Sequence, residues 1–265
     1  MVNESLIEGA TPDITYSVFS SEAWRRATTS VPKEMALTIY IDDEELVTIL
    51  CTPTKLIPLV IGFLYSEGII ADKSDVASMR ICEEESLADV RLSKPGYTLP
   101  SRRTISSGCG GGVSFAAERR KVDSSLVVEP GEVLSLMKQL NEQAGLYRFC
   151  GGVHTSALAN SENLMVVAED IGRHNTLDKI MGECLLTELP TRDRLLLTTG
   201  RISSEMLSKA VKMETPIVVS RSSPTDQAIS LAQELGITLI GYVHGSSLSV
   251  YSHEERVQGT PEQGS

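Results

Sequence analysis

The sequence has no surplus of positive charge, no long apolar run and no paired cysteines, and each absence removes a class of function. Its 24 Lys and Arg are outnumbered by 35 Asp and Glu, for a formal net charge of −11. That balance argues against a broad surface for nucleic acid or anionic lipid, although a local basic site for a small phosphate-bearing ligand remains compatible with it. The longest apolar run, Leu56 to Tyr65, falls well short of the roughly 20 residues that a membrane-spanning helix needs. The opening "MVNESLIEGATPD" is acidic and broken by Gly and Pro, so it has neither the basic nor the apolar region of a secretion signal, and a cytoplasmic protein is expected. Five cysteines, Cys51, Cys82, Cys109, Cys150 and Cys184, are odd in number and show no paired spacing, which suits reduced thiols better than a disulfide framework. They form no zinc-type cluster either, so no metal is expected.

What is present is an ordinary globular composition, 41% hydrophobic and 22% charged over 265 residues, enough for one large domain or two modest ones. The two halves read differently. "EMALTIYIDDEELVTIL" alternates apolar and polar residues around Asp42-Asp43, which predicts a hairpin. A helix follows, with Thr54 as its cap, Pro58 in its first turn and Gly68 as its left-handed stop. "ASMRICEE" and "LADVRLS" read as two more strands. The expected organisation is a flexible N-terminus over 1–15, a small α+β domain over 16–125 that ends in a glycine loop around Cys109, an α/β domain over 126–254, and a flexible tail over 255–265.

In the second half, "GEVLSLMKQLNEQ" and "GVHTSALAN" read as helices and "NLMVVAED" as a buried strand. "HNTLDKIMGECLL" puts Leu177, Ile180, Met181, Cys184 and Leu185 on one helical face, so Cys184 is expected in the core. "RLLLTTG", "PIVVS", "ITLIGYV" and "LSVYS" read as strands, and "SSEMLSKAVKM" and "PTDQAISLAQELG" as helices. The second of these helices takes Ser223 as N-cap, Pro224 at its first position and Gly236 past its end. The alternation implies an α/β layer architecture with a largely parallel sheet.

Each of these strands is followed by a polar junction: "EDIGRHN" with Gly172, Arg173, His174 and Asn175, "TTGRISS" with Gly200, Arg201 and Ser203, "SRSSPT" with Ser220 and Arg221, and "YVHGSS" over 242–247. Strand ends of α/β sheets form crevices, and helix N-termini favour anions. The arginines can make forked hydrogen bonds to phosphate, and glycine lets the backbone approach a ligand. Any one junction also reads as a plain solvated loop. His174 lies four residues before Asp178, whose carboxylate would orient the imidazole for acid/base work or ligand binding; a helix-capping role reads equally well. His154 resembles the histidine of zinc-dependent nucleoside deaminases, but Ser156 stands where the H-x-E glutamate would be and no C-x-x-C follows.

Cys109, in "TISSGCGGGVSF", has no apolar neighbour from Ser106 to Gly112. An exposed thiol is expected on a loop that leaves its sulfur unhindered, with Arg102 and Arg103 near enough in sequence to favour thiolate. Either a flexible turn or a thiolate that accepts and passes on a group fits this pattern.

"SSGCGGG", "GGVHTSALA", "EDIGRHNTLDKIMG", "TTGRISSEMLSKA", "SRSSPTDQAISLAQELGITLIGYV" and "LSVYS" occur in the order seen in the FdhD family, the formate dehydrogenase accessory sulfurtransferases, which this sequence resembles from about residue 35 to 252. The resemblance implies a three-layer, cytidine-deaminase-like larger domain without zinc, beside a smaller α+β domain. It implies that Cys109 takes persulfide sulfur from a cysteine desulfurase and passes it to the molybdenum bis(guanine dinucleotide) cofactor, bound as substrate, for the formate dehydrogenase catalytic subunit. Guanine nucleotides would mimic that ligand. The junction residues Gly172, Arg173, His174, Asn175, Asp178, Gly200, Arg201, Ser203, Ser220 and Arg221 would hold it, together with Tyr242, Val243, His244, Gly245, Ser246 and Ser247. The two-headed ligand makes a homodimer attractive. Two residues depart from the family pattern: Gly112 replaces the second cysteine of a common C-x-x-C pair, and His244 stands where arginine is common. A non-catalytic chaperone would need the arginines but not the thiol.

Overall fold

The computed structural model of the chain describes residues 7–94 and 121–260. Among the described residues, Ala10–Ser20 (β1) and Ala23–Pro32 (β2) pair only with each other, so residues 10–15, expected in a flexible N-terminus, are strand. Met35–Ile41 (β3) and Glu44–Cys51 (β4) form the expected hairpin, turned at Asp42 and Asp43, both with positive φ. Alternate residues Met35, Leu37, Ile39 and Ile41 face inward, the period of a strand with one wet side. Leu56–Ser66 (α1) is apolar on most of its circumference and lies over this sheet, which Val76–Cys82 (β5) and Leu87–Leu92 (β6) complete in the order β4-β3-β6-β5. Thr54 does not cap α1. Lys55 occupies that position in a left-handed conformation, and the Thr54 hydroxyl instead accepts a hydrogen bond from Lys179.

The second unit is built from Pro130–Gln143 (α2), Gly145–Cys150 (α3), His154–Ala159 (β7), Leu164–Asp170 (β8), Arg173–Thr187 (α4), Leu195–Thr198 (β9), Ser204–Lys212 (α5), Ile217–Ser220 (β10), Asp226–Leu235 (α6), Thr238–His244 (β11) and Ser247–Ser252 (β12). Its sheet runs β12-β11-β10-β9-β7-β8, with β9, β10 and β11 parallel. Side chains alternate across it. Leu195, Leu197, Ile217 and Val219 pack with α2, while Leu196 and Val218 pack with α4, α5 and α6 on the other face. The unit is therefore a mixed α/β structure of three layers.

"GVHTSALAN", expected as a helix, is strand β7. It is antiparallel to both β8 and β9, and two ladders that need its backbone groups outweigh the modest helix propensity of Ala and Leu. The cap of α6 is Thr225, not Ser223; Pro224 forms a bridge with Ile202. Residue 257, expected in a flexible tail, is 2% exposed and bridges to Val128.

The two units meet where α1 crosses α4. A Cβ on Gly62 would lie 1.8 Å from the Asp178 carbonyl oxygen, and one on Gly182 would lie 1.8 Å from that of Pro58. Only glycine at both positions permits this approach.

Candidate functional site at the strand ends

Strands β8, β9, β10 and β11 end, and β7 begins, on one edge of the six-stranded sheet: His154 pairs with Asp170, and Thr198 lies beside both Ser156 and Ser220. Chain leaves the sheet here in several directions, the place where open α/β sheets carry their ligand crevices. Buried hydroxyls form the floor. Ser156 Oγ is 2.7 Å from Thr176 Oγ1 and 2.9 Å from Thr198 Oγ1. Thr176 donates to the Arg173 carbonyl, Thr198 accepts from the Gly200 N–H, and Ser220 donates to the Gly200 carbonyl. These bonds fix the turns after β8, β9 and β10 relative to one another, which is how a loop-borne site gains rigidity.

Gly200 is where three junctions converge. A Cβ there would lie 3.0 Å from Arg173 Cβ and 3.4 Å from His154 Nδ1. Arg201 and Arg221 are exposed on the neighbouring turns, and the Arg221 N–H donates to the Thr198 carbonyl. Helix α4 starts at this edge with Gly172 as N-cap and no side-chain cap, so the positive end of its dipole faces this edge, where it favours an anion.

Two imidazoles stand among these cations. Burial first, then Lys209, Arg173 and His154, push the His174 pKa down to about 3; burial and Arg173 lower that of His154. His174 is therefore neutral at physiological pH. Its Nε2 lies 3.3 Å from Glu205 Oε2 in a geometry that makes no hydrogen bond, so the contact is not an ion pair. Asp178 does not orient this imidazole: its carboxylate accepts from Lys209 Nζ at 2.5 and 2.7 Å and from Ser66 Oγ at 2.7 Å.

Beneath the crevice a wholly buried ion pair locks the two units together. Lys179 Nζ is 2.7 Å from Asp170 Oδ2, with both side chains at 0% exposure. The ammonium also donates to the Thr52 carbonyl, Thr54 Oγ1 and the Glu169 carbonyl. Asp170 accepts from the N–H groups of Thr52 and Gly172 and from Asn175 Nδ2, and Asn175 also reaches the Leu50 carbonyl. Burying such a pair is tolerable only when every remaining donor and acceptor is occupied, as here.

Of the residues expected at the site, Gly172, Arg173, His174, Gly200, Arg201, Ser220 and Arg221 are thus brought to one edge. The Ser203 hydroxyl caps α5, and Asn175 and Asp178 serve the contact between units. Tyr242 is 47% exposed with φ 53° and donates its N–H to the Ser222 carbonyl. Val243 is core. His244 Nδ1 is 2.7 Å from the Tyr242 carbonyl oxygen, and Gly245, Ser246 and Ser247 are exposed in the β11–β12 turn. Cys109 and its glycine loop lie outside the described residues. Sequence reasoning missed the hydroxyl floor, the Asp170–Lys179 pair and Glu205: Lys179 lies on a helix that also carries Arg173, His174, Asn175, Asp178 and Glu183, so nothing in the local pattern singles it out. Among the described residues, no group of three or more His, Cys, Asp or Glu is placed to hold a metal ion, and no helix is long and apolar enough to cross a membrane.

Comparison with known proteins gives the family and the fold. The FdhD/NarQ family model matches residues 32–258. Proteins named Sulfur carrier protein FdhD are 41% identical over 236 residues in Bacillus subtilis, covering 85% of this chain and 89% of that one, and 40% identical over 238 residues in Bacillus pumilus, covering 87% and 91%. A crystal structure of a candidate formate dehydrogenase accessory protein from Desulfotalea psychrophila superposes with a TM-score of 0.77 at 23% identity, covering 92% of this chain and 98% of that one. On that evidence the chain belongs to the FdhD/NarQ family.

Proposed function

We propose that this protein is a sulfur carrier that serves the maturation of a formate dehydrogenase. The observation that carries the reading is that relatives about 40% identical over most of both chains are named sulfur carriers. The strand-end crevice, with arginines over a hydroxyl floor, supports an anionic nucleotide-like cargo. In this reading the Cys109 thiolate attacks the outer sulfur of a cysteine desulfurase persulfide. A Cys109–sulfur bond forms, the donor's S–S bond breaks, and the desulfurase cysteine leaves as thiolate. The crevice holds the molybdenum bis(guanine dinucleotide) substrate: Arg173, Arg201 and Arg221 take phosphates, Gly172 and Gly200 admit them to the backbone, and the Tyr242–Ser247 turn flanks them. The three-layer unit is read as a cytidine-deaminase-like frame used without zinc, acting in the cytoplasm, where a lone thiol stays reduced.

The test is complementation of a strain that lacks its own copy, read as formate dehydrogenase activity, alongside GDP binding by calorimetry. Cys109→Ala should abolish maturation yet bind GDP normally. Arg201→Ala with Arg221→Ala should weaken GDP by roughly 10- to 100-fold, the loss of one or two charge-assisted hydrogen bonds. Full maturation by Cys109→Ala would replace the carrier with a cofactor chaperone.

A further inference from the structure

A carboxylate stands among the cations of the strand-end site, where a receptor for phosphate alone would lose affinity by having one. Glu205 lies on the first turn of α5, and its side chain is 30% exposed. Its neighbours hold it there. The Ser203 hydroxyl caps the helix by accepting from the Met206 N–H, and Met206 and Leu207 are core. Ile202 ties this turn to the one after β10: its N–H donates to the Ser223 carbonyl and its own carbonyl accepts from the Thr225 N–H. Glu205 therefore stands on fixed backbone, with Arg201 and Arg221 exposed on the same two turns.

The other carboxylates near this edge are committed. Asp170 accepts from two backbone N–H groups, from Asn175 and from Lys179. Asp178 accepts from Lys209 and Ser66, and Glu169 from the Leu146 and Tyr147 N–H groups and the Thr155 hydroxyl. Glu205 accepts no hydrogen bond from any described residue. Lys209, one turn further along α5 and its natural partner by spacing, is taken by Asp178. The remaining neighbour, His174, comes to 3.3 Å but is neutral at physiological pH and makes no hydrogen bond to it. Two unfilled, partly buried acceptor oxygens at this edge call for donors from the ligand.

We propose that Glu205 reads the base of the nucleotide cargo, its two carboxylate oxygens accepting the adjacent N1–H and N2–H donors of guanine. The proposal rests on the reading of the strand-end site as a nucleotide site and extends it from phosphate to base. Guanine alone among the common bases sets two donors side by side on that edge. Adenine turns the lone pair of N1 to the same place, and hypoxanthine keeps N1–H but lacks the amine. A bidentate pair of this kind discriminates by about 10- to 100-fold. Neutral His174 leaves the carboxylate free for this task, since an imidazolium at that distance would claim it.

Calorimetric titration of the full chain with GDP, inosine diphosphate and ADP tests the proposal, in EDTA so that no metal bridges the carboxylate to a phosphate. Wild type should bind GDP about 10- to 100-fold more tightly than ADP, with inosine diphosphate between them. Glu205→Gln should weaken GDP by about 10-fold or more while ADP affinity is unchanged or rises; the ADP titration also shows that the variant's site is still formed. Arg201→Ala with Arg221→Ala should instead weaken GDP and ADP alike. Equal binding of GDP and ADP by wild type, or a Glu205→Gln variant that loses both nucleotides equally or neither, would overturn the base-reading role. Glu205 would then be a first-turn residue that favours the helix dipole, with the nucleotide reading intact. A wild type that binds none of the three would overturn both.

Discussion

Replacing Gly182 by alanine should force α4 away from α1. The added Cβ would sit 1.8 Å from the Pro58 carbonyl oxygen and 2.6 Å from its carbon, where ordinary contact begins at 3.4 Å. The obstacle is backbone, which cannot swing aside as a side chain does, so the helices must part by about 1.5 Å. Overpacking of this kind costs ~1–3 kcal/mol, and the upper end applies here. Alanine returns ~1 kcal/mol of helix propensity, leaving a net loss of about 2 kcal/mol. Gly131 in α2 has nothing within 4 Å of the corresponding position. Gly131→Ala should therefore be neutral or stabilise by up to ~1 kcal/mol. Urea unfolding followed by circular dichroism compares the two through their midpoints. If Gly182→Ala matched the wild type or exceeded it, the account of how the two units are held together would be wrong.

Three further outcomes follow from buried groups. Lys179→Met leaves the Asp170 carboxylate buried without its cation and should cost ~3–5 kcal/mol, while Asp170→Asn added to it should recover part of the loss; thermal unfolding of the single and double variants checks this. The thiols of Cys51 and Cys184, each pushed up to about 12 chiefly by burial, should resist iodoacetamide at pH 8 until the protein unfolds, as peptide mapping would show. The folded protein takes a proton on His174 only near pH 3, whereas an unfolded imidazole takes one near pH 6.5. Between these values the unfolded chain binds more protons, so this residue's contribution is complete above pH 6.5 and fades as pH falls, by about 2 kcal/mol at pH 5. His174→Gln should flatten the wild-type decline between pH 7.5 and 5 by that amount; equal slopes would contradict it.

Much of this was legible in the sequence because the physics was local. The Asp42-Asp43 turn, the Gly236 stop and the apolar face through Leu177, Ile180 and Cys184 depend on neighbours a few residues away. What failed to read depended on distant partners. Strand β7 was hidden because Ala157, Leu158 and Ala159 suit a helix equally well, and only β8 and β9 on either side decide the matter. The β1–β2 arm was hidden because its apolar residues fall on both faces and give no alternation. The polar junctions do gather on one edge of the sheet, yet helical spacing pairs Asp178 with His174 when Lys209, 31 residues away, claims it. Lys179 and Asp170 find each other across the boundary between two units, which no spacing rule records.

The central claim is that this protein carries sulfur on Cys109. The most direct measurement is to incubate the purified chain with a cysteine desulfurase and cysteine, then map added sulfur by peptide mass spectrometry. One added sulfur atom on the peptide holding Cys109, removed by reductant and absent from Cys109→Ala, is the predicted result. Sulfur on Cys82 or Cys150 instead, or none on a folded protein that still binds GDP, would contradict it.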